Sequence, residues 1–320
     1  MDDYPALAIV GPTASGKSRL ALAVAGEFGG EIVSCDALQV YRAMDIGTAK
    51  PTLQERSEIP HHMLDLRDPG DDFSAGDYQR LAREALHAIA ARGRLPVVTG
   101  GTGFYLKALI DGLFEGPARE EALRERLRRI ISRKGAGRLH MVLRKVDPRS
   151  AERISVADAA RILRALEVYF LTGRQLSSWQ SQPRLALHGF RWLKLGIAWP
   201  RDRLYDRINS RVDRMYREGL VEECRAILRS HPKHCHALKA IGYRQCSVFL
   251  DGGCTLEQAM DHTRQETRRY AKRQLTWFRS LPDIIWIEGE EDFERMFAIA
   301  SRRIREWLST GALPTIRQPE

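Results

Sequence analysis

Apolar positions in the first hundred residues come in short runs separated by longer, helically spaced patterns. "ALAIV" (6–10) is a continuous apolar run that predicts a buried strand, and 17–28 predicts the helix that follows it. "EIVSCD" (31–36) predicts a second strand, and "LPVVTGG" (95–101) a third that runs into glycines. Between them, 72–93 places Phe73, Tyr78, Leu81, Leu86 and Ile89 at roughly helical spacing. Strands alternating with helices predict an α/β fold, a parallel sheet with helices on both faces. Functional loops then belong at the carboxyl ends of the strands.

The texture changes near residue 113. "REEALRERLRRIISRKGAGRLHMVLRKV" and "SVADAARILRALEVYFLTG" read as charged helices with no strand between them. A strand pattern returns at "RWLKLGIAWP" (191–200), helices continue to about 280, and "DIIWIEG" (283–289) predicts a late strand before a last helix. The economical division is an α/β core over 1–112 and 196–320, interrupted by an all-helical insertion over 113–195. Internal repeats and low-complexity tracts are not evident.

A chain of 320 residues, 43% of them hydrophobic, is long enough for two cores. No apolar run approaches the roughly 20 residues a membrane helix needs. The N-terminus lacks the basic and apolar regions of a signal peptide, so a cytoplasmic protein is expected. Five cysteines at irregular spacing predict reduced thiols rather than a disulfide framework. His231 to His236, "HPKHCH", has zinc-ligand chemistry, but no second ligand pair follows at finger spacing, so it reads as a polar connection. The excess of 51 Lys and Arg over 41 Asp and Glu gives a net charge of +10, which favours a polyanionic partner.

Gly11, Pro12, Thr13, Ala14, Ser15, Gly16, Lys17 and Ser18 spell G-x-x-x-x-G-K-S between the first strand and its helix. Such a P-loop wraps phosphates in backbone N–H groups, with Lys17 reaching the terminal phosphates and Ser18 placed to ligate Mg²⁺. A glycine turn used only for packing does not account for Lys17 and Ser18 together. Asp36 ends the second strand at the same sheet edge. It reads either as a helix cap or Mg²⁺ ligand, or as a general base facing an acceptor. Thr102, in "GGTGFYLKAL", sits at a third strand end. Arg203, Arg207, Arg211 and Arg214 recur at helical spacing, though Asp202, Asp206 and Asp213 also suit a solvated face. Arg268, Arg269, Lys272, Arg273 and Arg279 interleave with Tyr270, Trp277 and Phe278, a mixture suited to phosphate contact and base stacking.

Three classes fit these residues: a small-molecule kinase, an RNA-dependent NTPase or RNA-binding module, and a transferase that grips a diphosphate while modifying RNA. A kinase leaves the basic–aromatic stretch unexplained, and no Asp-Glu pair ends an apolar strand as a motor would require.

"GPTASGKS", "SCDALQVYRAMDIGTAKP", "PHHMLDLRDP", "VVTGGTGFYLKAL", "RALEVYFLTG", "AIGYRQ" and "AKRQLTWFR" occur in this order over about 6–280, and together they resemble the tRNA dimethylallyltransferases, the tRNA isopentenyltransferase family, in its bacterial form. The resemblance implies a P-loop core with a helical insertion, and a tRNA anticodon stem–loop lying between them. It implies dimethylallyl diphosphate as donor, Mg²⁺ as cofactor, and the N6 amine of the adenosine 3′ of the anticodon as acceptor. No membrane partner and a monomer are expected. Asp36, Thr102 and Arg211 form the implied catalytic set, with Asp36 as base and Thr13 and Arg211 on the diphosphate. Implied tRNA contacts are Asp36, Ala37, Leu38, Gln39, Thr102 and Arg124, then Ala160, Arg161, Ile162, Leu163 and Arg164. Further along they are Lys239, Ala240, Ile241, Gly242, Tyr243 and Arg244, then Lys272, Arg273, Gln274, Leu275, Thr276, Trp277, Phe278 and Arg279. Relatives often carry a polar Q-R pair where this chain has Ala160 and Arg161. The rival within the same chemistry is an adenylate isopentenyltransferase, which prenylates free nucleotides.

Overall fold

Every side chain from Ala6 to Val10 is at most 1% exposed, which explains why this run has no polar alternation: it lies at the centre of a sheet covered on both faces. In the computed structural model, which describes residues 3–233 and 235–313, it is part of β1 (Tyr4–Val10). The chain continues through α1 (Lys17–Glu27), β2 (Gly30–Ser34), α2 (Leu53–Glu58), β3 (His61–His62), α3 (Ala75–Ala91), β4 (Leu95–Gly100) and α4 (Gly103–Asp111). The insertion contributes α5 (Glu121–Lys134), α6 (Ala136–Val146), α7 (Pro148–Arg153), α8 (Ala159–Thr172) and α9 (Leu176–Gln180). Then come β5 (Phe190–Ala198), α10 (Arg201–Arg217) and α11 (Leu220–Ser230). A 3₁₀ turn at Ala237–Lys239, α12 (Tyr243–Leu250), α13 (Leu256–Arg279), β6 (Ile284–Glu288) and α14 (Phe293–Thr310) complete it.

The sheet has six parallel strands in the order β3-β2-β4-β1-β5-β6, as the α/β reading predicts. Leu7 and Ile9 point into a core shared with α1, α10 and α14. Ala6, Ala8 and Val10 point the other way, against α3 and α4. Register brings the strand ends level: Val10 pairs with Gly100 and with Gly196, and Ser34 with Thr99. The loops leaving β1, β2 and β4 therefore open on one edge, which is where the P-loop, Asp36 and Thr102 arise. A third apolar cluster joins Val40, Tyr41 and Met44 of the loop after β2 to α11 and α12.

Asp111–Ala186 forms its own compact unit around Leu127, Leu143, Ile162, Leu166 and Val168. The expected boundaries, 113 and 195, need correction. Residues 187–195 belong to the core, because β5 begins at Phe190 and its Leu193 and Leu195 are fully buried in the sheet. The two-residue strand β3 has too few positions to show a period, so no sequence pattern announces it.

Candidate active site

Gly16 stands at φ 91°, a left-handed conformation open to glycine, and lets α1 begin directly at Lys17. No side chain caps that helix start and no acidic residue occupies its first turn, so its amides face outward. Other elements hold the loop from outside. Trp199 Nε1 donates to Ser15 O at 2.9 Å, and Arg207 Nε donates to Ala14 O at 3.0 Å while its guanidinium lies 4.2 Å over the Trp199 ring. Thr13 N donates to Gln274 Oε1 at 2.8 Å, and Gln274 Nε2 donates to Gly101 O at 2.8 Å. One buried amide thus ties the P-loop to the loop after β4. Ser15 Oγ is buried without a hydrogen-bond partner.

Asp36 accepts from Leu38 N at 2.9 Å through Oδ1, an Asx turn that fixes the carboxylate at the sheet edge. Thr102 Oγ1 accepts from Ala37 N at 3.1 Å and so braces the segment carrying Asp36. Lys17 Nζ donates to Pro12 O at 3.2 Å. Burial, aided by repulsion from Arg211, pushes the Lys17 ammonium down to about 8, with Asp36 opposing the shift. Burial also lowers Arg211, and Asp36 is again the group that favours its charge. No hydrogen bond or ion pair of Arg211 is found among the described residues. Two desolvated cations therefore face a single carboxylate, an arrangement short of negative charge.

Two cavities adjoin here. The smaller, about 120 Å³, is walled by Lys17, Ser18, Gly100, Gln274 and Lys50. The larger, about 420 Å³, is walled by Ala37, Leu38, Thr102, Lys239, Ala240, Ile241, Gly242, Arg244 and Arg273. Thr13, Asp36, Thr48, Arg211 and Tyr270 belong to both. The P-loop residues Lys17 and Ser18 thus face the smaller cavity only, and Asp36 and Arg211 stand where the two cavities adjoin.

Other expected contacts separate from these two cavities. Gln39 spends its amide on the protein: Oε1 accepts from Ser34 Oγ at 2.7 Å and Nε2 donates to the carbonyls of Thr48 and Ala49. Tyr243 and Phe278 are core side chains, 0% and 1% exposed, and Gln274 is the internal tie described above, so none is placed for a macromolecular contact. Leu275 and Trp277 pack on the two sheet cores, while Lys272, Arg273, Thr276 and Arg279 are exposed. In the helical unit Ile162 and Leu163 are buried in its core. Arg164 donates to Glu167 at 2.7 Å, and Arg124 sits 3.8 Å from the same fully buried carboxylate, so both serve that unit's interior. Ala160 and Arg161 are exposed.

The periodic arginines also divide: Arg207 and Arg211 turn to the P-loop region, whereas Arg203 and Arg214 face solvent. His234 lies outside the described residues, and among the described ones no group of three or more His, Cys, Asp or Glu is arranged to hold a metal. Thr48 and Lys50 lie in the quoted stretch 34–51, but nothing there singles them out for the site, because in an irregular loop no periodicity marks a buried lysine. For Tyr270, an aromatic among arginines, the available signal is its spacing from Gln274, one helical turn.

Known proteins resemble this chain over most of its length. A family model described as IPP transferase matches residues 39–281. A tRNA dimethylallyltransferase of Solibacter usitatus is 47% identical over 95% of this chain and 99% of its own length. One from Geobacter sulfurreducens is 45% identical over 92% of this chain and 95% of its own. Among solved structures, the tRNA isopentenylpyrophosphate transferase of Bacillus halodurans superposes with a TM-score of 0.72 at 39% identity, covering 96% of this chain and 97% of that one. A eukaryotic dimethylallyltransferase acting on tRNA gives 0.81 at 26% identity, covering 98% and 81%. No helix among the described residues is long and apolar enough to cross a membrane. With its phosphate loop, its paired cavities and matches that span nearly its whole length, this chain belongs to the IPP transferase family.

Proposed function

We propose that this chain, acting as a single copy in the cytoplasm, transfers the dimethylallyl group of dimethylallyl diphosphate to the N6 amine of the adenosine 3′ of the anticodon in tRNA. The observation that carries this reading is the pair of desolvated cations, Lys17 and Arg211, which share Asp36 as the one carboxylate favouring their charge, where the smaller cavity adjoins a larger one. A diphosphate supplies the missing negative charge. An extruded base fits the larger cavity, whose rim carries Lys239, Arg244 and Arg273 for the flanking phosphates.

In this site the N6 nitrogen attacks the allylic carbon, the carbon–oxygen bond to the diphosphate breaks, and the amine proton passes to Asp36. Lys17, Arg211 and the open amides of the P-loop stabilise the charge that grows on the departing oxygens. Asp36 is already immobilised by Leu38 N, so it accepts the proton without a search for geometry. Ser18 is exposed on the first turn of α1 beside the smaller cavity and would hold Mg²⁺ through its hydroxyl, since no group of three or more His, Cys, Asp or Glu among the described residues is arranged as a cage for the ion. When bound, the ion neutralises leaving-group charge. The exposed basic side chains of the helical unit, Arg161 among them, offer contacts to the stem.

Labelled dimethylallyl diphosphate incubated with either AMP or an anticodon stem–loop RNA carrying an A-A-A run tests the acceptor. Label on the RNA alone supports the reading, and label on AMP alone overturns it. Asp36→Ala is expected to lose turnover by about 10²–10⁴-fold while keeping donor affinity; unchanged turnover removes Asp36 as the base.

A further inference from the structure

Between Ala43 and Ala49, both held at positive φ (58° and 45°), the chain after β2 forms a short strap with no ladder of its own. The strap supplies Gly47 and Thr48 to the larger cavity and Thr48, Ala49 and Lys50 to the smaller, so it walls the junction opposite the P-loop's own elements. Its backbone groups are satisfied from far along the sequence. Glu223 Oε2 accepts from Asp45 N at 2.9 Å and from Ile46 N at 2.8 Å, and Oε1 accepts from Gly47 N at 3.1 Å. Three successive amides thus wrap one carboxylate in the concave arrangement that otherwise holds anions. Tyr243 OH donates to Oε1 at 2.5 Å and occupies a further lone pair. The Tyr243 side chain also lies close against Gly47, where an added Cβ would fall 2.4 Å from Cε2. Nothing in the reaction chemistry uses Glu223, and it does not line either cavity.

We infer that Glu223 is a positioning residue for prenyl transfer: by gripping the amides of 45–47 it fixes the strap, and through Thr48 the wall against which acceptor base and donor are aligned. This rests on the reading that the two substrates meet at Asp36. A carboxylate is required because four donors converge on it, three amides and the Tyr243 hydroxyl, and a carboxamide would turn an N–H toward at least one of them.

The consequence is a split between parameters. The amides and Lys17 that grip phosphate belong to the P-loop, which Trp199, Arg207 and Gln274 tie, and the strap only walls the smaller cavity, so affinity for inorganic diphosphate depends little on Glu223. Glu223→Gln is expected to lower kcat about 10- to 100-fold, the effect of a misplacement near 1 Å. The KM for the stem–loop RNA and the affinity for inorganic diphosphate should each stay within about threefold of the parent. Tyr243→Phe keeps the carboxylate and all three amides, and should retain kcat within about threefold. Glu223→Asp keeps charge but shortens the reach by one bond; it should fold and fall between the two, and it carries the comparison if Glu223→Gln does not fold. The inference is overturned if kcat of the folded Glu223 variants matches the parent, or if diphosphate affinity falls in step with turnover. Failure of the parent protein to prenylate RNA would instead overturn the functional reading, so the two failures are distinguishable.

Discussion

Replacing Arg211 by methionine should make the protein worse at its chemistry and more stable at the same time. The guanidinium is desolvated beside the P-loop, repels Lys17, and has no paired acid among the described residues. Under the proposed function its match is the diphosphate. A charge-assisted hydrogen bond contributes about 1.5–3 kcal/mol, and a guanidinium fork makes two. Loss of about 3–5 kcal/mol corresponds to two to almost four orders of magnitude in kcat/KM for the donor. In the free protein the sign reverses, since an isolated cation taken out of water is a cost that an apolar chain of similar length does not incur. The cavity admits some water, so the gain is about 1 kcal/mol, which for a domain this large is about 2–4 °C in Tm. A third consequence concerns Lys17. Burial remains, but the repulsion from Arg211 goes, so its pKa moves up from about 8. Titration calorimetry with inorganic diphosphate gives the affinity, and ligand-free melting at low ionic strength gives the stability. If Arg211→Met binds diphosphate like the parent, or melts several degrees lower, the assignment of Arg211 as a held-ready anion partner is wrong.

The unmodified protein has its own pH signature. Lys17 is charged below about pH 8 and loses its proton above it, so kcat/KM for the donor should be level up to that point and decline beyond. Bound diphosphate raises the lysine pKa, so kcat at saturation should hold to higher pH; a donor profile level to pH ~9.5 would contradict this. Gln274→Leu leaves Thr13 N–H and Gly101 C=O unpaired in the interior, at about 1–3 kcal/mol each, and should lower Tm and raise the donor KM together. In the helical unit, Glu167→Gln removes the charge shared by Arg164 and Arg124 and should cost about 3–5 kcal/mol. Hydrogen exchange should show lost protection in Asp111–Ala186 with the sheet strands unchanged.

Sequence carries the parts of this molecule whose physics is local. The P-loop needs eight consecutive residues, and a strand buried on both faces needs an unbroken apolar run, so both are legible. The loop after β2 is not, because its shape comes from partners at a distance: Glu223 stands 178 residues from Asp45, and Gln274 stands 261 from Thr13. Contacts assigned as unbroken blocks are blurred for a different reason. A helix turns its side chains with a period of 3.6, so a block such as 272–279 necessarily mixes faces. Ala271, Gln274 and Phe278 share the buried stripe of α13, while Lys272, Arg273, Thr276 and Arg279 share the exposed one. The same division separates Ile162 and Leu163 from Arg161. That periodicity is present in the sequence, and spacing alone is enough to set the buried members of each block apart.

Tyr270 and Gln274 lie one turn apart on α13, a single helix of 24 residues; the first touches both cavities and the second fastens the P-loop. The distance from the P-loop tie to the junction of the two cavities is therefore gauged by a rigid rod. A substitution between these two positions changes a side chain and leaves the gauge intact. One inserted residue advances the rod by about 1.5 Å and turns it by about 100°, so Tyr270 and Gln274 can no longer both keep their places. In this segment, the number of residues is a stricter constraint on descendants of the chain than most of their identities.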